Sequence, residues 1–310
     1  FKTHKNHVYN ECSLNILKAT AIYGSNGSGK SNLVKAIDFF KTIIQEGKIT
    51  KSINSKKFKL NLENKEKPVN FEIEFSVNKK TYSYGVKINN SNILEEWLYE
   101  TGLTKDKLIF EREFKEGKQH IKFASKYIRS QKSKLLVKLM EENLLVNNEL
   151  LLGKYDTLKI DEITLIRDYI KNQILIIYPH TTFGGLIQSF TVFKDFHVFS
   201  NSLLETFDTG VQELEIKTTD FDKFFSEEEK EYRNELLEDF KNDNNIRSIT
   251  FESEKGSILI IKENDKLFVK TILSFHKDNN GSNILFDLND ESYGTKRLLD
   301  FLPAFYSILN

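Results

Sequence analysis

The chain is poor in the residues that staple, kink or anchor a fold. It has one cysteine, three prolines, one methionine and one tryptophan in 310 residues. The lone Cys12 excludes an internal disulfide framework and suits a reducing, cytoplasmic setting. No apolar run approaches the length of a membrane span, and no secretory leader is visible, so no membrane partner is expected. Net charge is also missing: 45 basic residues balance 45 acidic ones, which removes any overall electrostatic pull toward nucleic acid. Lysine, isoleucine and asparagine are abundant, the composition of ordinary folded protein and not of disorder. A chain of this length buries a large core in more than one domain or lobe. It opens on Phe1 without a methionine and stops at Asn310 inside the apolar pattern 298–309. Both ends therefore read as cut, and a piece of a longer protein is expected.

What is present is concentrated near the start. Gly24-Ser-Asn-Gly-Ser-Gly-Lys30-Ser31 fits G-x-x-x-x-G-K-[S/T] at every fixed position. Residues 17–23 (LKATAIY) read as a short buried strand entering this loop. Leu33, Ile37, Phe40 and Ile44 follow at helical spacing, and Gly47 ends that helix. A glycine-rich turn that happens to precede a helix is the alternative, but strand, loop and helix stand in the order a phosphate site needs. Glycines let the backbone wrap a triphosphate and aim its N–H groups inward. The helix dipole adds positive potential at the same point. Gly24, Ser25, Asn26, Gly27, Ser28, Gly29, Lys30, Ser31 and Asn32 are thus the candidate nucleotide-binding residues. Lys30 reaches the β- and γ-phosphates as the catalytic cation, and the Ser31 hydroxyl goes to Mg²⁺. The loop alone does not say which nucleotide is bound, or whether it is hydrolysed.

Beyond a lysine-rich connection (48–67), Phe71, Ile73, Phe75 and Val77 alternate. A turn follows at Asn78-Lys79-Lys80, then Tyr82, Tyr84, Val86 and Ile88 alternate, which predicts a β-hairpin with one buried face. Strands are expected at 93–99 and 108–114. The middle changes character, with helices predicted over 133–143, 161–171 and 196–207. Ser226-Glu-Glu-Glu229 is a capping-box pattern opening a helix to about residue 241. Strands resume at 248–252, 257–262 and 266–275, with a tight turn at Glu263-Asn-Asp265. The expected organisation is residues 1–125 as the first part of the core with an antiparallel β lobe, 126–245 as a helical insertion (an arm or lid), and 246–310 as the second part of the core.

The other informative segment is Ile284-Leu-Phe-Asp-Leu-Asn-Asp-Glu-Ser-Tyr-Gly-Thr-Lys-Arg-Leu-Leu-Asp-Phe. A strand ends near Leu288, and 291–295 lead into a helix with Leu298, Leu302, Phe305 and Leu309 on one side and a bend expected at Pro303. Ser292 and Gly294 have two readings. One is a plain N-cap followed by a tight-turn glycine; the other is a second anion-binding element, where hydroxyl, backbone N–H groups and helix dipole converge. Its place downstream of a phosphate loop favours the second.

Four stretches together resemble the AAA-family, ABC-class ATPases of prokaryotes, relatives of the SMC and RecF head domains. They are 19–35 (ATAIYGSNGSGKSNLVK), 68–86 (PVNFEIEFSVNKKTYSYGV), 93–113 (ILEEWLYETGLTKDKLIFERE) and 286–299 (FDLNDESYGTKRLL). The resemblance implies an α/β fold: a P-loop ABC-type ATPase head with an antiparallel β lobe and a helical insertion, and ATP and Mg²⁺ as ligands. It implies that Ser292, Gly294 and Thr295 act as a signature in trans on ATP held by the phosphate loop of another subunit, giving a head-to-tail dimer. Transporter signatures carry Ser-Gly-Gly-Gln; Tyr293 and Thr295 stand at the second and fourth places here, which argues against a transporter subunit. The Walker B strand, the D-loop and the switch histidine should follow the signature helix, and the chain stops first. Asp287 after Ile284-Leu-Phe imitates Walker B but precedes the signature, and no Q-loop glutamine stands between the first helix and the hairpin. Proteins of this kind serve in bacterial anti-phage defence and abortive infection, restraining or triggering an effector such as a nuclease or toxin. The alternatives are a RecF- or SMC-like ATPase that clamps DNA, disfavoured by the lack of long heptads, and a non-hydrolysing nucleotide sensor or scaffold.

Other features are weaker. Residues 115–138 are net basic, with Lys118, Lys122, Lys126, Arg129, Lys132, Lys134 and Lys138 interleaved with Phe123 and Tyr127, and read either as a nucleic-acid face or as a solvated surface. Residues 220–243 are net acidic and read as solvated or as a dock for a basic partner. Among His4, His7, His120, His180, His197 and His276, only His4 and His7, with Cys12 nearby, approach metal-ligand spacing, and a fourth ligand is lacking.

Overall fold

Turn chemistry and period-2 alternation account for most of the architecture. The computed structural model describes residues 5–12, 15–58, 60, 62–178, 181, 185–242, 246–253 and 256–309, divided into two units, Phe1–Ile177 and Tyr178–Asn310.

In the first unit, a two-residue pair, β1 (Val8–Tyr9) and β2 (Ile16–Leu17), precedes helix α1 (Lys30–Glu46). A five-stranded antiparallel meander follows: β3 (Val69–Val77), β4 (Lys80–Asn89), β5 (Asn92–Thr101), β6 (Lys107–Lys115) and β7 (Lys118–Phe123), paired in that order. The expected first hairpin is present. Its turn residues Asn78 and Lys79 take φ values of 52° and 64°, the double left-handed geometry that matches strand twist in a two-residue loop. Helices α2 (Gln131–Leu139), continued by a π-helical turn (Met140–Leu144), α3 (Tyr155–Leu158) and α4 (Asp161–Gln173) complete the unit. One core joins them. Phe40 of α1 stacks on Phe71 and Tyr84, both at 5.7 Å between ring centroids, while Phe75 stacks on Tyr169 of α4 at 5.2 Å. Ile163, Ile166 and Ile170 of α4 are fully buried in the same core.

The 145–153 loop is bound to this sheet by buried charge. Glu96 on β5 and Arg112 on β6 lie 3.6 Å apart with no side-chain exposure. Glu96 accepts from the N–H groups of Leu151 (2.6 Å) and Leu152 (2.9 Å) and from the Tyr84 hydroxyl (3.1 Å). Arg112 donates to the carbonyls of Glu149 and Val146. Burial pushes the Glu96 carboxyl up, against the pull of Arg112 and the two N–H groups, and burial lowers Arg112. The same loop holds the end of α1: Leu150 N–H donates to the Gly47 carbonyl at 2.8 Å, and a Cβ on Gly153 would come within 2.8 Å of the Gly47 Cα. Gly47, at φ 68°, closes the helix as its sequence position predicts.

In the second unit, α5 (Leu186–Val192) and α6 (Phe196–Thr206) lead to β8 (Glu213–Asp220), α7 (Phe221–Phe224) and α8 (Lys230–Asn242). Then come β9 (Ser248–Ser253), β10 (Gly256–Glu263), β11 (Lys266–Lys277), β12 (Asn283–Asp287) and α9 (Tyr293–Leu309). The long β11 pairs antiparallel with β10, β12 and β8. Asn264 and Asp265, at φ 50° and 61°, make the expected tight turn. Leu186, Ile187, Phe196 and Leu204 of α5 and α6 share a core with Leu299 and Leu302 of α9 and Ile272 of β11. Phe221, Leu236 and Phe240 of α7 and α8 share another with Ile258, Ile260 and Val269. At the start of α8 the Glu229 carboxylate accepts from both N–H (2.8 Å) and Oγ (2.9 Å) of Ser226, the reach-back half of a capping box.

The unit boundary falls inside 126–245. Helices α2 to α4 of that stretch pack in the first unit, and its last part supplies β8 to the second sheet. Three expectations need correction. Residues 19–23 are not a buried strand: Ile22 and Tyr23 are 59% and 90% exposed, and among the described residues no strand lies beside them to supply a ladder. Leu33 and Ile37 of α1 are likewise exposed, so only the second half of that helix is packed. Helix α9 buries Thr295, Leu299, Leu302 and Ala304, not the side bearing Leu309, and continues through Pro303.

Candidate nucleotide site

The phosphate loop is shaped by its glycines and one lysine. Gly27 and Gly29 take φ values of 80° and 94°, and a Cβ at either would meet nothing within 4 Å. The concavity is therefore open, and its backbone takes a course that other residues rarely follow. Gly29 is the N-cap of α1 without a side-chain cap, which leaves the first N–H groups of the helix available to an anion. Lys30 folds over the loop: its Nζ donates to the carbonyls of Gly24 (2.6 Å) and Ser25 (2.8 Å) and lies 3.4 Å from Ser28 Oγ. Ser28 N–H closes the turn on Ser25 O at 3.2 Å, and Asn32 N–H returns to Gly29 O at 2.9 Å. Ser31 is exposed on the first turn of α1. Open glycines, an uncapped helix start, a mobile cation and a hydroxyl form a donor set that fits a triphosphate with its Mg²⁺ at Ser31.

The second segment is held from below. Ser292 Oγ accepts from Thr295 N–H at 3.1 Å and lies 2.9 Å from Thr295 Oγ1, while Lys296 N–H donates to Ser292 O. Ser292 thus does the work of an N-cap while remaining exposed. Gly294 lies inside the first helical turn, exposed, and takes no left-handed conformation, so it is not a tight-turn residue. Thr295 is buried beneath the pair. Residues that sequence reasoning missed fix this segment. Glu291, 8% exposed, accepts from Ser274 Oγ and lies 2.6 Å from His276 Nε2, both on β11. Arg297 donates to the carbonyls of Thr181 and Tyr178 and stacks on Phe301 at 4.3 Å. The phosphate loop and the Ser292 segment belong to different units.

Comparison with known proteins places this geometry. A family model described as "AAA domain, putative AbiEii toxin, Type IV TA system" matches residues 19–309. The chain belongs to that family. It is therefore an AAA domain, a nucleotide-binding ATPase class whose members use ATP and Mg²⁺, and the family expected from the sequence is the one found. No curated protein and no solved structure matches it.

Other candidates fare differently. In the basic stretch, Phe123 is buried and Tyr127 packs on the core, so neither offers a ring to a base. Lys122, Lys126 and Lys138 pair with Glu111, Glu162 and Glu142. In the acidic stretch, Asp220 caps α7 and Asp222 lies 3.6 Å from Arg233; residue 243 lies outside the described residues. His4 and His180 lie outside them too, and among the described residues no group of three metal-ligating side chains occurs. Asp287 closes the exposed strand β12, apart from any second acid that would make a Walker B pair. Among the described residues no helix is long and apolar enough to cross a membrane.

Proposed function

We propose that this chain is the ATPase head of a cytoplasmic, ATP-driven switch. Lys30 and the Gly24–Asn32 loop hold the triphosphate, and Ser31 supplies a Mg²⁺ ligand. Ser292, Gly294 and Thr295 of one copy close on the ATP of another, so that nucleotide joins two heads head to tail and turnover releases them. The 126–245 segment serves as the arm that conveys closure to an effector, a nuclease or toxin partner, in a defence or toxin–antitoxin setting. The observation that carries this reading is the Lys30 ammonium, held by two loop carbonyls at the uncapped start of α1. It keeps its charge within reach of the phosphate position and exchanges those carbonyls for phosphate oxygens on binding. Exposure of Ser292 and Gly294 supports a role toward a second copy.

The test is solution mass by light scattering with and without Mg-ATP, for the wild type, Lys30→Ala and Ser292→Arg. Doubling with ATP that both variants lose is the expected result. A mass indifferent to ATP, together with a silent Ser292→Arg, rules out the composite site and leaves a self-contained nucleotide switch.

A further inference from the structure

The lysine-rich connection after α1 has no role in the account so far, yet it builds the wall of a groove. The groove, about 900 Å³, lies between α1 and the 53–71 segment of the same unit. Its α1 side is one stripe, Asn32, Lys35, Ala36 and Phe39, at the i, i+3, i+4, i+7 spacing that puts residues on a single helix face. The stripe begins one residue after Ser31, at the phosphate end of the helix, and runs about 10 Å along it at 1.5 Å per residue. That is roughly the reach from the phosphates of a nucleotide to its base.

The lining matches a nucleoside in chemistry as well as in position. Phe39 and Phe71 form an aromatic floor, with centroids 5.6 Å apart. Phe58 lines the opposite wall with 62% of its surface exposed, a ring of large size that the fold leaves uncovered. Asn64 and Asn70 line the same wall, and side-chain amides carry both donors and acceptors, as base edges do. Lys35 and Lys56 add positive charge where the groove meets the phosphate end. Lys57 and Lys67 are already engaged, with Asn89 at 3.4 Å and Glu63 at 3.5 Å. Aromatic faces interleaved with lysines form the arrangement that holds nucleotides by stacking and charge.

We infer that this groove is the subsite for the base and ribose of the nucleotide whose phosphates Lys30 holds, with Phe58 as the stacking face. The inference rests on the phosphate-loop reading, and its test separates the two. Binding of ATP and of inorganic tripolyphosphate to the full chain is measured by calorimetry for the wild type, Lys30→Ala, Phe58→Ala, Asn70→Ala and Phe58→Trp. Phe58→Ala is expected to weaken ATP about tenfold, the loss of one base–aromatic stack, and to leave tripolyphosphate unchanged. Phe58→Trp restores ATP affinity, and Lys30→Ala weakens both ligands. If Phe58→Ala and Asn70→Ala bind ATP like the wild type while Lys30→Ala does not, the groove is no base subsite and the phosphate loop stands. If the two groove variants lose affinity for an oligonucleotide but keep it for ATP, the groove serves a strand instead and the inference is overturned. If Lys30→Ala changes neither ligand, the phosphate-loop reading falls, and this inference falls with it.

Discussion

Replacing Glu96 tests whether the Glu96–Arg112 pair acts as a charge pair or as a backbone clamp. In Glu96→Leu, Arg112 keeps its charge with no side-chain exposure and no counter-ion, and breaking a buried pair from one side costs about 3–5 kcal/mol. The N–H groups of Leu151 and Leu152 also lose their acceptor. A loss of about 4 kcal/mol or more is expected, a large share of the ~5–15 kcal/mol that holds a domain together. The double variant Glu96→Leu/Arg112→Met discriminates. A buried pair valued only for its charges is often replaced by apolar residues at no loss. Here the two N–H groups stay unmatched, and the carbonyls of Val146 and Glu149 lose their donor. At about 1 kcal/mol or more for each orphaned donor, the double variant should recover only part of the loss and stay at least ~2 kcal/mol below the wild type. The assay is urea unfolding followed by Trp97, the single tryptophan of the chain, which adjoins Glu96 and so reports this unit alone; an unchanged m-value confirms that the same surface unfolds. A double variant with wild-type stability would refute the clamp.

Three further outcomes are expected. Gly85→Ala should cost about 1–3 kcal/mol by overpacking, because Gly85 faces Trp97 across β4 and β5 and a Cβ there would fall inside the indole; an unchanged melting temperature and emission maximum would count against it. Ser292→Asp should keep the α9 cap, and so the melting temperature, while abolishing ATP-dependent doubling through repulsion of phosphate, whereas Ser292→Ala should cost about 1 kcal/mol as a lost cap. Both are read by thermal unfolding and light scattering, and retained doubling in Ser292→Asp would remove Ser292 from the composite site. A hydrogen bond from Lys107, helped by Lys80, holds the Glu100 carboxyl below the usual carboxylate range. Its stabilisation is therefore present at neutral pH and lost as pH falls through that lowered value, so Glu100→Gln should be less stable than the wild type at pH 7 and equal to it in strong acid. A gap that persists in acid would contradict the assignment.

Much of this fold was legible because local chemistry and burial agree. Asn78-Lys79 and Asn264-Asp265 have the composition that left-handed two-residue turns favour, and the strands around them alternate cleanly. Gly47 stands where a left-handed helix end requires it. The phosphate loop was readable for the same reason: its glycines and lysine stand at every fixed position of the pattern. Other parts were hidden. Strand β7 puts Gln119 on its buried face, where the amide donates to Leu145 O and Asn147 Oδ1, so its alternation looked like a basic surface. Strand β8 ends in Thr-Thr-Asp and carries too few apolar residues to stand out from the helices around it. The Glu96–Arg112 clamp was hidden by its charges. Arg112 lies at period 2 between Phe110 and Phe114, which is the one sign that it points inward. Residues 19–23 misled in the opposite sense, since apolar character promised burial that no neighbouring strand provides.

The uneven packing of α1 has a mechanical meaning. Its far end is gripped: Phe40, Ile43 and Ile44 are buried, Gly47 is pressed against Gly153, and Lys41 reaches the Ile174 carbonyl at 2.6 Å. Its near end, from Lys30 to Ile37, projects with little beneath it. The helix is a cantilever, loaded at the tip where phosphate binds and fixed at a root locked to the sheet by buried charge. Force applied at the tip is not absorbed locally, because a helix is stiff along its length. It reaches the root as torque on the 145–153 loop.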